Sequence, residues 1–218
     1  MPEIIVTPVS YFEMLMDYQE PNIQLWLDRA AVVQAIFRAL KPWNINVDNV
    51  EIITTGKPSE QGLKFKIPEK RVSFFFSPAL CKFTKDNADW ESVEETIQIM
   101  DAAFSALAKA SGIVAASQKT AIALHIQPKT LSFMDILEPF ISKPLLALES
   151  GPATSMATIV KWDKRKVIID VSGQIANGVF LRFERDFDGK ASYEEIAIQL
   201  RSDEDALFEM LGVEEAQR

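Results

Sequence analysis

Apolar positions recur every three or four residues most regularly between Trp90 and Ser111, where Val93, Ile97, Met100, Phe104 and Leu107 fall on one side of an α-helix. Asp89 is placed to cap the start of that helix, and Gly112 can take the left-handed backbone that ends it. Just before it, Val72–Phe76 carries three consecutive phenylalanines and needs cover on both faces or a partner for the second. A strand this apolar followed by a one-sided helix predicts a helix laid across a sheet.

The other segments repeat that theme. Glu3–Val6, between Pro2 and Pro8, reads as a lead-in or edge strand. The pattern predicts a short helix over Tyr11–Tyr18 and a longer one over Asn22–Leu40, with Trp26, Ala30, Val33 and Phe37 on its buried face. Val50–Thr55, Leu63–Ile67 and Val72–Phe76 then suit an antiparallel meander. After Lys119 the alternation is strict, with Ile122, Leu124 and Ile126 opposed to Ala121, Ala123, His125 and Gln127. Thr130–Ile141 reads as a short helix weakened by Pro139, and 142–152 as a surface connection. Met156–Trp162 and Val167–Val171 flank a charged tip, Asp163-Lys164-Arg165-Lys166, as a hairpin, and Val179–Phe183 follows as a third strand. Ser192 and Glu195 form a capping box for a final helix that buries Ile196, Leu200, Leu207 and Leu211. Ser202–Asp205 interrupts that face and predicts a kink or restart, and Asp186–Gly189 reads as a turn.

The order of elements looks duplicated, with Val72, Phe83 and Asp89-Trp90-Glu91 answering to Val179, Phe187 and Ser192-Tyr193-Glu194. The expected class is α+β: two similar halves, 1–115 and 116–218, or one continuous domain. Each half is expected to hold an antiparallel meander, a lead-in strand and a long helix packed on the sheet.

The runs SPALCKF, DWESVEETIQIMDAAFSAL, TAIALHIQP and SFMDILEPFI, followed by FERDFDG and SYEEIAIQL, resemble an uncharacterised, sporadically distributed bacterial family of somewhat larger chains. This chain has Ala123 and His125 where that family commonly carries Arg or Gly with an aromatic. The resemblance implies the layout just described and assigns no activity to any residue.

Composition narrows the class. With 48% hydrophobic and 25% charged residues, the 218-residue chain can bury a sizeable core without metal or disulfide. The single Cys81 fits a reducing compartment, and no apolar run approaches a membrane span, so a cytoplasmic protein without a membrane partner is expected. A net charge of −8 opposes non-specific attraction to polyanions, and nucleic acid is not expected as a partner.

Candidate chemistry is sparse. One histidine cannot make a two-His metal site, and neither a glycine-rich phosphate loop nor a nucleophile elbow is present. No cofactor, metal or catalytic residue is therefore assigned. His125 and Cys81 read first as packing residues, and Asp170 as a strand carboxylate on the wet face. If a ligand pocket exists between sheet and long helices, Phe74, Phe76, Met100 and Phe104 would line it, with His125 or Asp170 as polar contact. A weaker candidate is the tip carrying Trp162, Lys164, Arg165 and Lys166, which could stack a base and hold phosphates. From these signals the expected function is a non-catalytic interaction or adaptor protein of unknown protein partner, self-associating as a homodimer or other homo-oligomer. The alternative is a small-molecule binder or enzyme using the apolar pocket.

Overall fold

A computed structural model of the chain describes residues 2–7, 9–57, 60–140 and 157–215. The fold is α+β, and the chain divides into two compact units of interleaved membership. The first comprises Met1–Tyr11, Ala121–Arg185 and Ile198–Arg218; the second comprises Phe12–Thr120 and Asp186–Ala197. Among the described residues no helix is long and apolar enough to cross a membrane.

In the second unit, β3 (Val50–Ile53), β4 (Gly62–Ile67), β5 (Val72–Phe76) and β6 (Leu80–Asp86) form the antiparallel meander, with β2 (Tyr11–Tyr18) beside β6. Phe65, Phe74, Phe76 and Phe83 point from it into the core and are fully buried, each stabilising the fold by about 1.5–3 kcal/mol. Helix α3 (Val93–Ser111) buries Ile99, Met100, Ala103, Phe104 and Leu107, and it ends on Gly112 at φ 68°. Its partner α2 (Arg29–Leu40) packs along it. Gly62 is required by space: a Cβ there would lie 2.1 Å from the Phe76 carbonyl oxygen of the neighbouring strand.

Several expectations need correction here. Tyr11–Tyr18 is a strand, because Met14, Met16 and Tyr18 are buried alternately. Its Tyr11, Met14, Leu15 and Tyr18 also fit the helical period, which is why the pattern misleads. Leu80–Asp86, to which the sequence pattern assigns no element, is a further strand with Cys81, Phe83 and Lys85 turned inward. The helix over Asn22–Leu40 breaks at Asp28, whose φ of −135° is not helical and whose carboxylate accepts from the Ala31 N–H. That restart moves the buried face to Val32, Ile36 and Leu40, and the short α1 (Gln24–Leu27) leaves Trp26 exposed.

In the first unit, the end of β7 (Ala115–Pro128) lies between β1 (Glu3–Val6) and β10 (Val179–Asp188), followed by β9 (Arg165–Val171) and β8 (Ala157–Lys161). A two-residue β11 (Glu214–Glu215) runs parallel to β1. Every residue from Ala121 to Ile126 is buried, so this stretch of β7 has no wet face. Helix α4 (Phe133–Leu137), opened by a Ser132–Asp135 capping box, is shorter than expected and passes into a 3-10 turn at Glu138–Phe140 around Pro139. The connection expected at 142–152 lies outside the described residues.

Strand β10 continues through Asp186-Phe187-Asp188, so the turn begins only at Gly189. Helix α5 (Tyr193–Leu211) opens on the Ser192–Glu195 capping box and runs unbroken through Ser202–Asp205. The acidic interruption is tolerated because Arg185 of β10 donates Nε and Nη2 to the Asp203 carboxylate, both at 2.6 Å. Gln199 adds a third donor at 3.3 Å.

Candidate nucleic-acid interface

The β8–β9 hairpin projects six residues in which four are cations, Lys161 through Lys166. Lys161 and Lys166 are register partners and share a face. Trp162 donates its backbone N–H to the Arg165 carbonyl at 2.7 Å, closing the loop over Asp163 and Lys164. The Arg165 guanidinium sits 5.7 Å from the Trp162 ring centroid, a cation–π contact that props the indole upright while it stays 50% exposed. Lys161, Lys164 and Arg165 are exposed and pair with no acid among the described residues. Lys166 differs, because its Nζ lies 3.3 Å from Glu184 of β10. The tip stands on Val167 and Ile169 of β9 and Leu181 of β10, all buried, so its base is rigid.

On the face of Lys166, a row of polar side chains crosses to Tyr11. Arg182 donates Nε to Glu184 at 2.8 Å and Nη1 to the Tyr11 hydroxyl oxygen at 2.9 Å. Burial pushes the Glu184 carboxyl up, but hydrogen bonds and charge from Arg182 and Lys166 outweigh it and leave the carboxyl below the usual range. Sequence reasoning missed this row, since nothing local marks Tyr11 or Arg182.

His125 and Asp170 lie in the same unit with Phe180 between them: Phe180 pairs in register with Asp170, and its ring centroid is 4.9 Å from that of His125. The His125 partner is Ser172, with Oγ at 2.8 Å from Nδ1. Ser172 Oγ already accepts from the N–H groups of Gln174 and Ile175, so its own hydrogen goes to Nδ1 and the imidazole carries its proton on Nε2. Burial lowers the His125 pKa and keeps the ring neutral. A serine with both lone pairs committed to a turn and almost no exposure is a bracket for that turn, not a nucleophile. Asp170 accepts from the Val171 N–H.

The four apolar residues expected to line a pocket fall in the other unit. Phe74 and Phe76 stack at 5.7 Å, and Phe104 meets them edge-on at 5.7 and 6.1 Å, so the rings fill the space between β5 and α3. Met100 is buried beside them on α3. A cavity of ≈ 380 Å³ does exist in that unit, but residues 19–24 and 111–114 line it. Burial pushes the Cys81 thiol up to about 12, with the Tyr18 hydroxyl its neighbour, so it is a packed thiol rather than a reactive one. Among the described residues no group of three or more His, Cys, Asp or Glu side chains could hold a metal ion.

No family model and no curated protein matches this chain. Among solved structures, the chain is similar to the rolling circle replication initiator protein from Geobacillus stearothermophilus, at 9% identity and a TM-score of 0.34, over 92% of this chain and 80% of that one. That neighbour is a replication initiator and not an adaptor. That finding runs against the expected non-catalytic interaction or adaptor function, and the rings of Phe74, Phe76 and Phe104 fill the space where the alternative placed an apolar pocket. At this similarity the likeness carries no argument about what this chain binds or does.

Proposed function

We propose that the chain binds single-stranded nucleic acid through the tip of the β8–β9 hairpin. The observation that carries the reading is a half-exposed Trp162 set among Lys161, Lys164 and Arg165, three cations without an acidic partner among the described residues. An indole propped by a guanidinium offers its free face to a base, and stacking contributes roughly 1–3 kcal/mol per base regardless of sequence. The cations take the adjoining phosphates. The reading departs from the expectation drawn from net charge, for a reason of range. Screening confines the repulsion of the −8 chain to about 8–10 Å, and the tip projects its own charge beyond its neighbours. Binding of this kind is local, modest and steeply salt-dependent.

The scaffold is read, within this proposal, as one plan made twice. Two features support it. Strands β4–β6 and β8–β10 are each consecutive antiparallel meanders, and each precedes a 19-residue helix. The first hairpin of each carries an acidic–Lys–Arg triplet, Glu69-Lys70-Arg71 and Asp163-Lys164-Arg165.

The test is anisotropy of a labelled oligo(dT) titrated at several salt concentrations. Three phosphate contacts predict a log–log slope of about −2, from roughly 0.7 per contact on single strands. Changing Lys164 and Arg165 to Glu abolishes measurable binding. Affinity indifferent to salt, or to that double change, contradicts the reading.

A further inference from the structure

We propose that the cavity between residues 19–24 and 111–114 is a binding site for a small alkylammonium compound. It lies in the second unit, apart from the ring-filled space between β5 and α3, and it is independent of the hairpin reading. Its volume of ≈ 380 Å³ falls within the roughly 300–1,000 Å³ of ordinary ligand pockets. Gln19 donates its N–H to the Val114 carbonyl at 3.0 Å, which ties the two walls together. Among the lining residues only Asn22 is buried, at 2% exposure, so it forms the floor.

That floor is what points to a ligand. Ser111 Oγ donates its hydrogen to the Leu107 carbonyl at 2.8 Å, so toward Asn22 Nδ2, at 3.1 Å, it can only accept. The bond fixes the amide: Nδ2 faces Ser111, and Oδ1 is left buried with no hydrogen-bond partner. A buried acceptor without a donor is uncommon, and one in the wall of a cavity is completed by a donor that enters it. The rest of the wall offers acceptors too. Gly112, at φ 68°, donates to the Ala108 carbonyl at 2.7 Å and ends α3, so the carbonyls of 109–111, at the negative end of the helix, lack an intrahelical donor. Glu20 is exposed, is the one ionisable residue of the lining, and meets no cation among the described residues. Lys109, the basic residue of that last turn, is not part of the lining. An ammonium group carries a positive charge and three donors and no acceptor, so it answers this set where an anion does not. Ile23 and Val114, both more than half exposed, give a short hydrocarbon body a rim to lie on.

The experiment titrates n-butylamine, protonated at neutral pH, into the isotope-labelled chain and follows backbone amide shifts by NMR, with n-butanol as the uncharged probe of the same shape. Saturable shifts confined to 19–24 and 111–114 are expected, with n-butanol binding at least about tenfold more weakly. Glu20→Gln removes an exposed carboxylate that has no partner and should weaken butylamine binding roughly tenfold. Asn22→Leu, which takes away the floor's acceptor, should abolish the local shifts; if that variant does not fold, Glu20→Gln and the butanol comparison decide alone. Shifts that spread over the acidic surface without saturating overturn the inference. So do equal affinity for n-butanol, parental affinity in Glu20→Gln, or local shifts kept by a folded Asn22→Leu chain. The Lys164→Glu, Arg165→Glu double variant should keep the butylamine shifts whatever it does to oligonucleotide binding, so the two readings fail separately.

Discussion

The hairpin of β4 and β5 and that of β8 and β9 carry the same acidic–Lys–Arg tip and put it to different use. In the first, Pro68 sets a 3-10 turn, Lys70 reaches Glu95 of α3 at 2.6 Å, and Lys66 lies 4.0 Å from Glu51 of β3. Asn44 adds a contact to Glu69. On the neighbouring strand Lys82 likewise pairs with Glu13. Lys66 and Lys70 are thus answered by acids of their own unit, Arg71 alone has no ion pair among the described residues, and the tip has no exposed aromatic. In the second hairpin, Trp162 precedes the triplet, Arg165 leans over its ring, and neither Lys164 nor Lys161 meets a carboxylate among the described residues. The lesson is that a basic tip signals a partner through what fails to neutralise it, not through its lysines alone.

The supports beneath the hairpins give the largest expected effects. Asp203→Ala removes the bidentate acceptor of the largely buried Arg185 guanidinium and should lower stability by about 3–5 kcal/mol in urea unfolding. Phe74→Ala, in the ring cluster beneath the neutralised hairpin, should lose a similar ~3–5 kcal/mol. If Asp203→Ala unfolded at the parent's midpoint, the second hairpin would not depend on its buried ion pair.

Next in size is Trp162→Ala. Oligo(dT) affinity should fall by about 1–3 kcal/mol in anisotropy while the unfolding midpoint stays put, because the indole packs on little besides Arg165. Breaking the neutralised tip is a smaller matter. Glu95→Gln frees Lys70 from an ion pair more than a third exposed on both sides and should cost under about 1 kcal/mol. It should also give that hairpin a weak oligonucleotide affinity it otherwise lacks.

The smallest effect concerns His125, the chain's single histidine. Its folded pKa lies below the ordinary 6.5, so between the two values the unfolded chain binds more protons. The stability that the neutral ring contributes is complete above 6.5 and is lost as the pH falls toward the folded pKa. Denaturation midpoints measured from neutral to mildly acid pH should therefore decline, and His125→Gln should flatten the decline.

How far the sequence disclosed this depends on whether a feature is local. Helix α3 was legible because its apolar spacing and Gly112 stop lie within one stretch, and the β8–β9 tip because a charged turn between apolar runs needs no distant partner. Tyr11–Tyr18 was misread because its apolar residues satisfy two periods at once, and only pairing in the sheet decides between them. Asp203 read as a break because its partner Arg185 is on another element. The row at Glu184 was invisible for the same reason: Tyr11 and Arg182 are 171 positions apart. Sequence discloses which side chains could meet, but not which of them do.

The two tips differ in what answers their charge, and one pair of charge reversals measures the difference. Lys164→Glu and Lys70→Glu alter the net charge equally, so their oligo(dT) affinities, taken at one low salt concentration, compare place alone. Lys164→Glu should weaken binding roughly tenfold and Lys70→Glu by less than about twofold. Equal losses from the two would show that the chain responds to total charge, and the β8–β9 hairpin would then have no claim to be the interface.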